Sequence, residues 1–270
     1  MVFQDARDYQ ILFLGSFLFL GISTRDWTLR PDLILVLILT CLLTQIVFSW
    51  RYQVALSLRS PLITALGLSL LLRANESTTI ALAGCLAIAS KFVFHFEGKH
   101  FFNPANFGII TALIFTHDAW VSPGQWGTDW WYLFLFFATG GMILQRVGRW
   151  ETSAAFLLTY GSLEAIRNYY LGWSFEVWQH QFMSGSLLLF AFFMITDPRS
   201  ISNANVSRLI WAIALAFLTF ILQHQFYVQT AMFWALFILS PCTIFFDKIW
   251  SAPRFSWQSS YLNIAVLNRF

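Results

Sequence analysis

Residues 182–200 read FMSGSLLLFAFFMITDPRS. An apolar run opens at a serine-glycine-serine triplet, Ser184 to Ser186, and stops at Asp197 and Pro198. Only about ten residues lie between these marks, which as a helix cover about 15 Å of the roughly 30 Å hydrocarbon core of a bilayer. Two readings follow. The run is either an ordinary short span in thinned lipid with arginines reaching for the interface, or one limb of a broken helix. In the second case the irregular backbone must be buried in protein or line a cavity, because lipid offers no hydrogen-bond partners.

The surrounding chain supports a membrane setting. Of its residues 58% are hydrophobic and 11% charged, where soluble domains carry about 25% charged residues. An all-α integral membrane protein is expected. The opening MVFQDARDYQ places Asp5, Arg7 and Asp8 before the first apolar run and no small-residue cleavage site follows, so no signal peptide is read there. Cys41, Cys85 and Cys242 sit inside apolar runs without close spacing, which points to packing rather than a disulfide or metal framework.

Apolar runs begin near Tyr9, Leu33, Pro61, Thr79, Ala105, Trp130, Thr152, Phe182, Arg208 and Gln229. Pairing the first five starts with the last five gives offsets of about 119 to 129 residues, the mark of an internal repeat. Each half has an odd number of crossings, so the second enters from the opposite face. The expectation is about ten transmembrane helices in two inverted five-helix repeats, residues 1–126 and 127–270, joined in one membrane domain. With ten crossings, the side holding both termini carries Arg7, Arg51, Arg59, Lys99, Arg146, Arg149, Arg199, Arg208, Lys248, Arg254 and Arg269. The other side carries Arg25, Arg30, Arg73 and Arg167. The positive-inside rule then makes both termini cytoplasmic.

Four segments look short or broken, in matching places. The third holds PLITALGLSLLL between Arg59 and Arg73, and its partner is the eighth, quoted above. The fifth starts at Asn103 and Pro104 and stops at His117 and Asp118, while the tenth is interrupted at Ser240 and Pro241. Matched interruptions of helices 3, 5, 8 and 10 point to buried cavities near the membrane centre.

These residues resemble a known family, the RnfD and NqrB subunits of the Rnf complex and of the sodium-pumping NADH:quinone reductase. The resemblance covers about Asp5 to Arg254 and is carried by GKHFFNPANFG, GGMILQRVGRW, FFMITDPRS and SPLITALGLSLLL. It implies a ten-helix subunit of inverted halves, like urea transporters, carrying flavins within a larger membrane redox complex. In the family, FMN is esterified to the threonine of an S-G-A-T motif at the outer end of helix 8, and a second flavin is held noncovalently. Here S-G-A-T falls on Ser184, Gly185, Ser186 and Leu187. Leucine has no oxygen to carry a phosphate ester, so covalent FMN is not expected.

Noncovalent FMN or riboflavin remains an expectation, with Ser184, Gly185, Ser186, Thr64, Lys91, Asn103, Pro104 and Asp197 as candidate binding residues. The serine-glycine-serine triplet reads equally well as an anion site at a helix start or as small residues that let helices approach. Lys91, within a membrane segment, calls for a partner such as Glu97 or a ligand phosphate, or else snorkels to the interface. Glu164 and Arg167 lie one turn apart and can pair on a single helix. The tryptophans of THDAWVSPGQWGTDWW suit an interface belt. His95, His100, His117, His180 and His224 show no haem or zinc spacing, and neither a metal site nor a catalytic residue is assigned.

Three functions compete. The first is a flavin-binding electron relay, which lacks a dinucleotide-binding glycine pattern and is at most a subunit of a larger complex. The second is a nonredox structural subunit that keeps the fold. The third, on architecture alone, is a channel like urea transporters. Expected partners are the lipid bilayer of a plasma or other energy-converting membrane and further membrane subunits, with no nucleic acid.

Overall fold

The structure, a computed structural model, describes residues 5–25, 30–122, 130–255 and 257. The connection around Gln125, the boundary between residues 126 and 127, and Arg269 lie outside them. Helices α1 (Ala6–Arg25), α2 (Pro31–Arg51), α3 (Arg59–Leu71), α4 (Ser77–Val93) and α5 (Pro104–Phe115) take the first five apolar runs in order. α6 (Trp130–Val147) and α7 (Trp150–Tyr170) take the next two, and α8 (Phe175–Phe182) is an additional short helix before the eighth run. That run is α9 (Gly185–Leu189) continued by a π turn (Phe190–Met194). α10 (Asn205–His224) takes the ninth run, and α11 (Ala231–Leu239) with α12 (Cys242–Ile249) the tenth.

The protein is a membrane protein in which long helices alternate with short ones. Among the described residues, α2 and α10 are long and apolar enough to cross a bilayer, and α11 with α12 counts as a third span broken by a 49° bend. The bend has a local cause. Pro241 cannot donate an N–H into the helix, and just before it both the N–H and the Oγ of Ser240 donate to the Leu236 carbonyl, at 2.9 and 2.6 Å. α3 has 13 residues, α5 has 12, and α9 with its π turn has ten.

The short helices end where other groups can meet their free backbone atoms. After α3, strand β1 (Leu72–Arg73) pairs antiparallel with β4 (Trp120–Val121), which follows α5. Ser122 N–H donates to the Leu71 carbonyl at 3.2 Å, extending the same ladder. On the opposite end of the bundle β2 (His95–Phe96) and β3 (Lys99–His100) form a hairpin between α4 and α5, turning through Glu97 and Gly98, both at positive φ.

Packing runs in a parallel pattern in the two halves: α2 lies on α4 and α4 on α5, as α7 lies on α10 and α10 on α11. α1 packs on α3, as α6 packs on α9 and its π turn. Close approach depends on glycine at two places. A Cβ on Gly108 of α5 would stand 2.7 Å from the Ala83 carbonyl of α4, and one on Gly140 of α6 would stand 2.7 Å from the Phe192 ring of the π turn. The larger of two apolar core clusters among the described residues joins both halves, from Leu14 and Phe17 to Phe233 and Leu236.

Candidate functional site

Asn103 organises the meeting point of the two halves. Its Oδ1 caps α5 by accepting from Asn106 N–H at 3.1 Å, and Pro104 occupies the first turn, where its missing N–H costs nothing. Its Nδ2 donates across the bundle to the Met194 carbonyl at 3.1 Å. One turn on, Asn106 Nδ2 donates to the Phe233 carbonyl of α11 at 3.1 Å. The π turn leaves further carbonyls in need of donors. Ser153 Oγ of α7 donates to Ala191 O at 2.5 Å, and Thr196 Oγ1 to Phe192 O at 2.7 Å. Wide turns of this kind recur at functional sites.

A cavity of about 100 Å³ opens beside this joint, between α1, α3, the start of α5 and the π turn. Leu14, Ile63, Leu189 and Phe193 make an apolar wall, and Gln10, Ser60, Thr64, His100, Asp197 and Arg199 supply polar groups. Of the candidate residues, Thr64, Asn103, Pro104 and Asp197 line it together, although they come from three separate stretches of sequence. Asp197 is held in place by Arg199 N–H at 3.1 Å and faces His100 Nε2 at 3.6 Å. Burial pushes its carboxyl upward, but the hydrogen bond and charge of His100 with the Arg199 N–H outweigh this and hold it below the usual carboxylate range.

Ser184, Gly185 and Ser186 do not line the cavity; they start α9, while the cavity meets the later part of the same segment. Ser184 Oγ and Ser186 Oγ lie 3.0 Å apart, Ser186 is 1% exposed, and the Leu187 side chain, 4% exposed, is packed in the core. A phosphate ester at Leu187 therefore fits neither the chemistry nor the packing of this position. Lys91 also stands outside the lining but touches it: its Nζ donates to Gln45 Oε1 at 2.7 Å and to Ser60 Oγ at 3.3 Å. Glu97, one of the partners considered for Lys91 beside a ligand phosphate, pairs with Arg254 instead, across the hairpin surface.

Residues 117–256, just over half the chain, match the NQR2, RnfD, RnfE family. The chain belongs to that family. Among curated proteins it is similar to the D subunit of the ion-translocating oxidoreductase complex of Tolumonas auensis, 33% identical over 97 residues that make up 35% of this chain and 28% of that protein. The same subunit of Haemophilus influenzae strain Rd is 26% identical over 136 residues, 48% of this chain and 37% of that protein. Its counterpart in Actinobacillus pleuropneumoniae is 24% identical over 149 residues, 54% and 40% respectively. The chain thus spans well under half the length of these NQR2, RnfD, RnfE family relatives.

Within this family member, several polar contacts were invisible to sequence reading. Glu164 does not pair with Arg167 one turn away: its Oε1 lies 2.6 Å from His224 Nε2 of α10, and Arg167 sits over the Trp173 ring. The i, i+3 reading failed because Glu164, 1% exposed, points into the α7–α10 contact. Arg208, 1% exposed, is bound by Glu151 and Asn205. Gln10 has 8% of its surface exposed, lines the cavity, and its side chain makes no hydrogen bond among the described residues. A polar residue amid the apolar run of α1 was the one signal that could have marked it. Among the described residues no three His, Cys, Asp or Glu side chains gather as a metal site.

Proposed function

We propose that this chain is a membrane subunit of an ion-translocating oxidoreductase complex that holds a flavin noncovalently and relays electrons to neighbouring subunits. The observation that carries this reading is convergence: Ser60 to Thr64, Asn103–Pro104 and Asp197–Pro198, each from a different family-like motif, meet at one cavity. The Gln10 amide, which makes no hydrogen bond among the described residues and lines the cavity beside an apolar wall, suits a flat heteroaromatic ring that carries its own donors and acceptors. Leu14, Ile63, Leu189 and Phe193 would exclude water from such a ring, Gln10 and Thr64 would fix its edge, and Arg199 would stand at the polar end. A flavin would supply the one- and two-electron chemistry when bound. The residues of this chain set its position and keep solvent away.

The architecture we infer is ten spans in two inverted five-helix repeats, with both termini cytoplasmic in an energy-converting membrane. It is supported by the matching order of helix contacts in the halves and by the eleven-to-four split of basic residues. The packed, hydroxyl-free Leu187 site favours a second reading, a nonredox subunit that keeps the fold. An absorption spectrum of the purified protein before and after acid denaturation separates the two. Flavin bands that leave with acid support the relay. Flavin that stays attached to the denatured chain contradicts the reading of Leu187, and no flavin of either kind puts the structural subunit in front.

A further inference from the structure

A second cavity, of about 280 Å³, lies at the hairpin end of the bundle, between β2–β3, α12 and the chain that runs on from α12 to Arg254. It shares no lining residue with the cavity beside Asn103. The helices that end next to it set its depth. α12 closes the broken span at Ile249 and α4 stops at Val93, so Lys248, in the last turn of α12, stands where hydrocarbon gives way to headgroups. Exposed apolar side chains flank it on both sides, Phe245 and Ile249 on α12 and Val93 and Phe94 at the end of α4. Trp250, of a residue type enriched at that depth, follows α12 directly.

The charges that line this cavity do not cancel. Three cations, Lys99, Lys248 and Arg254, stand against two carboxylates, Glu97 and Asp247. Arg254 is bonded to both the carboxylate and the carbonyl of Glu97, and Lys99 Nζ lies 2.6 Å from Asp247 Oδ2. Asp247 Oδ1 is taken as well, by Ser202 Oγ at 2.8 Å and Asn203 N–H at 2.7 Å. Both carboxylates are thus engaged by other groups. Lys248 has no carboxylate among the described residues; its Nζ stands 5.2 Å from the centre of the Phe96 ring, which leaves its N–H groups without an oxygen acceptor. The Ser251 hydroxyl, also in the lining, makes no hydrogen bond among the described residues.

We propose that this cavity seats the phosphate headgroup of an anionic phospholipid, with Lys248 and Ser251 as donors to it and the acyl chains lying along Phe245 and Ile249. A basic pocket at the inner end of a helix bundle, rimmed by lipid-facing apolar side chains, has the chemistry such a headgroup requires. The volume falls just short of the roughly 300–1,000 Å³ of pockets that enclose a whole small ligand, which suits a headgroup whose chains stay in the membrane. A soluble phosphate would satisfy the same donors but would leave the apolar flanks unused, and the test tells the two apart.

The full chain, purified in a neutral detergent, would be titrated with phosphatidylglycerol, with phosphatidylcholine of the same acyl chains and with inorganic phosphate, and bound molecules would be counted by native mass spectrometry. The unmodified protein should hold one phosphatidylglycerol at least about fivefold more tightly than phosphatidylcholine, roughly the worth of one basic residue at a membrane surface. Lys248→Gln should remove most of that preference and Lys248→Arg should keep it. Arg51→Gln, which removes an exposed cation at the end of α2 outside this cavity, should leave it unchanged. Equal affinity for the two lipids overturns the proposal, as does an equal loss in Lys248→Gln and Arg51→Gln, the result that general attraction to a basic face would give. Inorganic phosphate bound as tightly as phosphatidylglycerol overturns the lipid as its source.

Discussion

Replacing Asn103 tests whether the start of α5 joins the two halves. The residue is 7% exposed and both of its side-chain atoms are used, one to cap α5 and one to hold the Met194 carbonyl, each at 3.1 Å. Loss of an N-cap costs about 0.5–2 kcal/mol. Without Nδ2 the Met194 carbonyl keeps a longer bond from Asp197 N–H at 3.4 Å, so the second loss sits near the low end, about 1 kcal/mol. Asn103→Ala should therefore lower the unfolding free energy by roughly 1.5–3 kcal/mol. Asn103→Ser keeps an acceptor for the cap but cannot reach Met194, and should lose only about 1 kcal/mol. Reversible unfolding in mixed micelles, followed by tryptophan fluorescence, measures both. The reasoning fails if Asn103→Ala stays within about 0.5 kcal/mol of the unmodified protein, the spread of ordinary surface changes, or if Asn103→Ser falls as far as alanine.

Gly108→Ala should cost about 1–3 kcal/mol by overpacking, since its Cβ would meet the Ala83 carbonyl at 2.7 Å, whereas Gly141→Ala, with nothing within 4 Å, should cost nothing in the same assay. The depressed Asp197 pKa stabilises the folded chain at pH values above the unfolded carboxyl value, near 4, and this contribution is lost as pH falls through the folded value. Between pH 5 and pH 3 the thermal midpoint of Asp197→Asn should accordingly fall less steeply than that of the unmodified protein; parallel curves would contradict the assignment. Reporter fusions after Arg254 and at Gln125 should label opposite faces of the membrane, and the same face for both would sink the ten-span arrangement.

The sequence alone determined the elements that rest on local physics. Apolar runs located the helices because burying or lipid-facing residues must recur along each one. Pro104 with Asn103 placed the start of α5, and Ser240 with Pro241 placed the break between α11 and α12, because caps and missing donors act within a turn. The absence of a hydroxyl at Leu187 was equally plain. The family could be read too, since its motifs are contiguous strings. What tertiary structure decided is which of those strings meet. Lys91 found Gln45 and Ser60, not the nearby Glu97, and Glu164 found His224, 60 residues away, not Arg167 one turn along. Asn103 turned out to be a joint as well as a cap, and Gln10 emerged as a buried amide at a cavity wall. Partners such as these depend on how helices cross and rotate against one another, and that is fixed by close contacts such as Gly108 on Ala83, which no periodicity within one segment encodes.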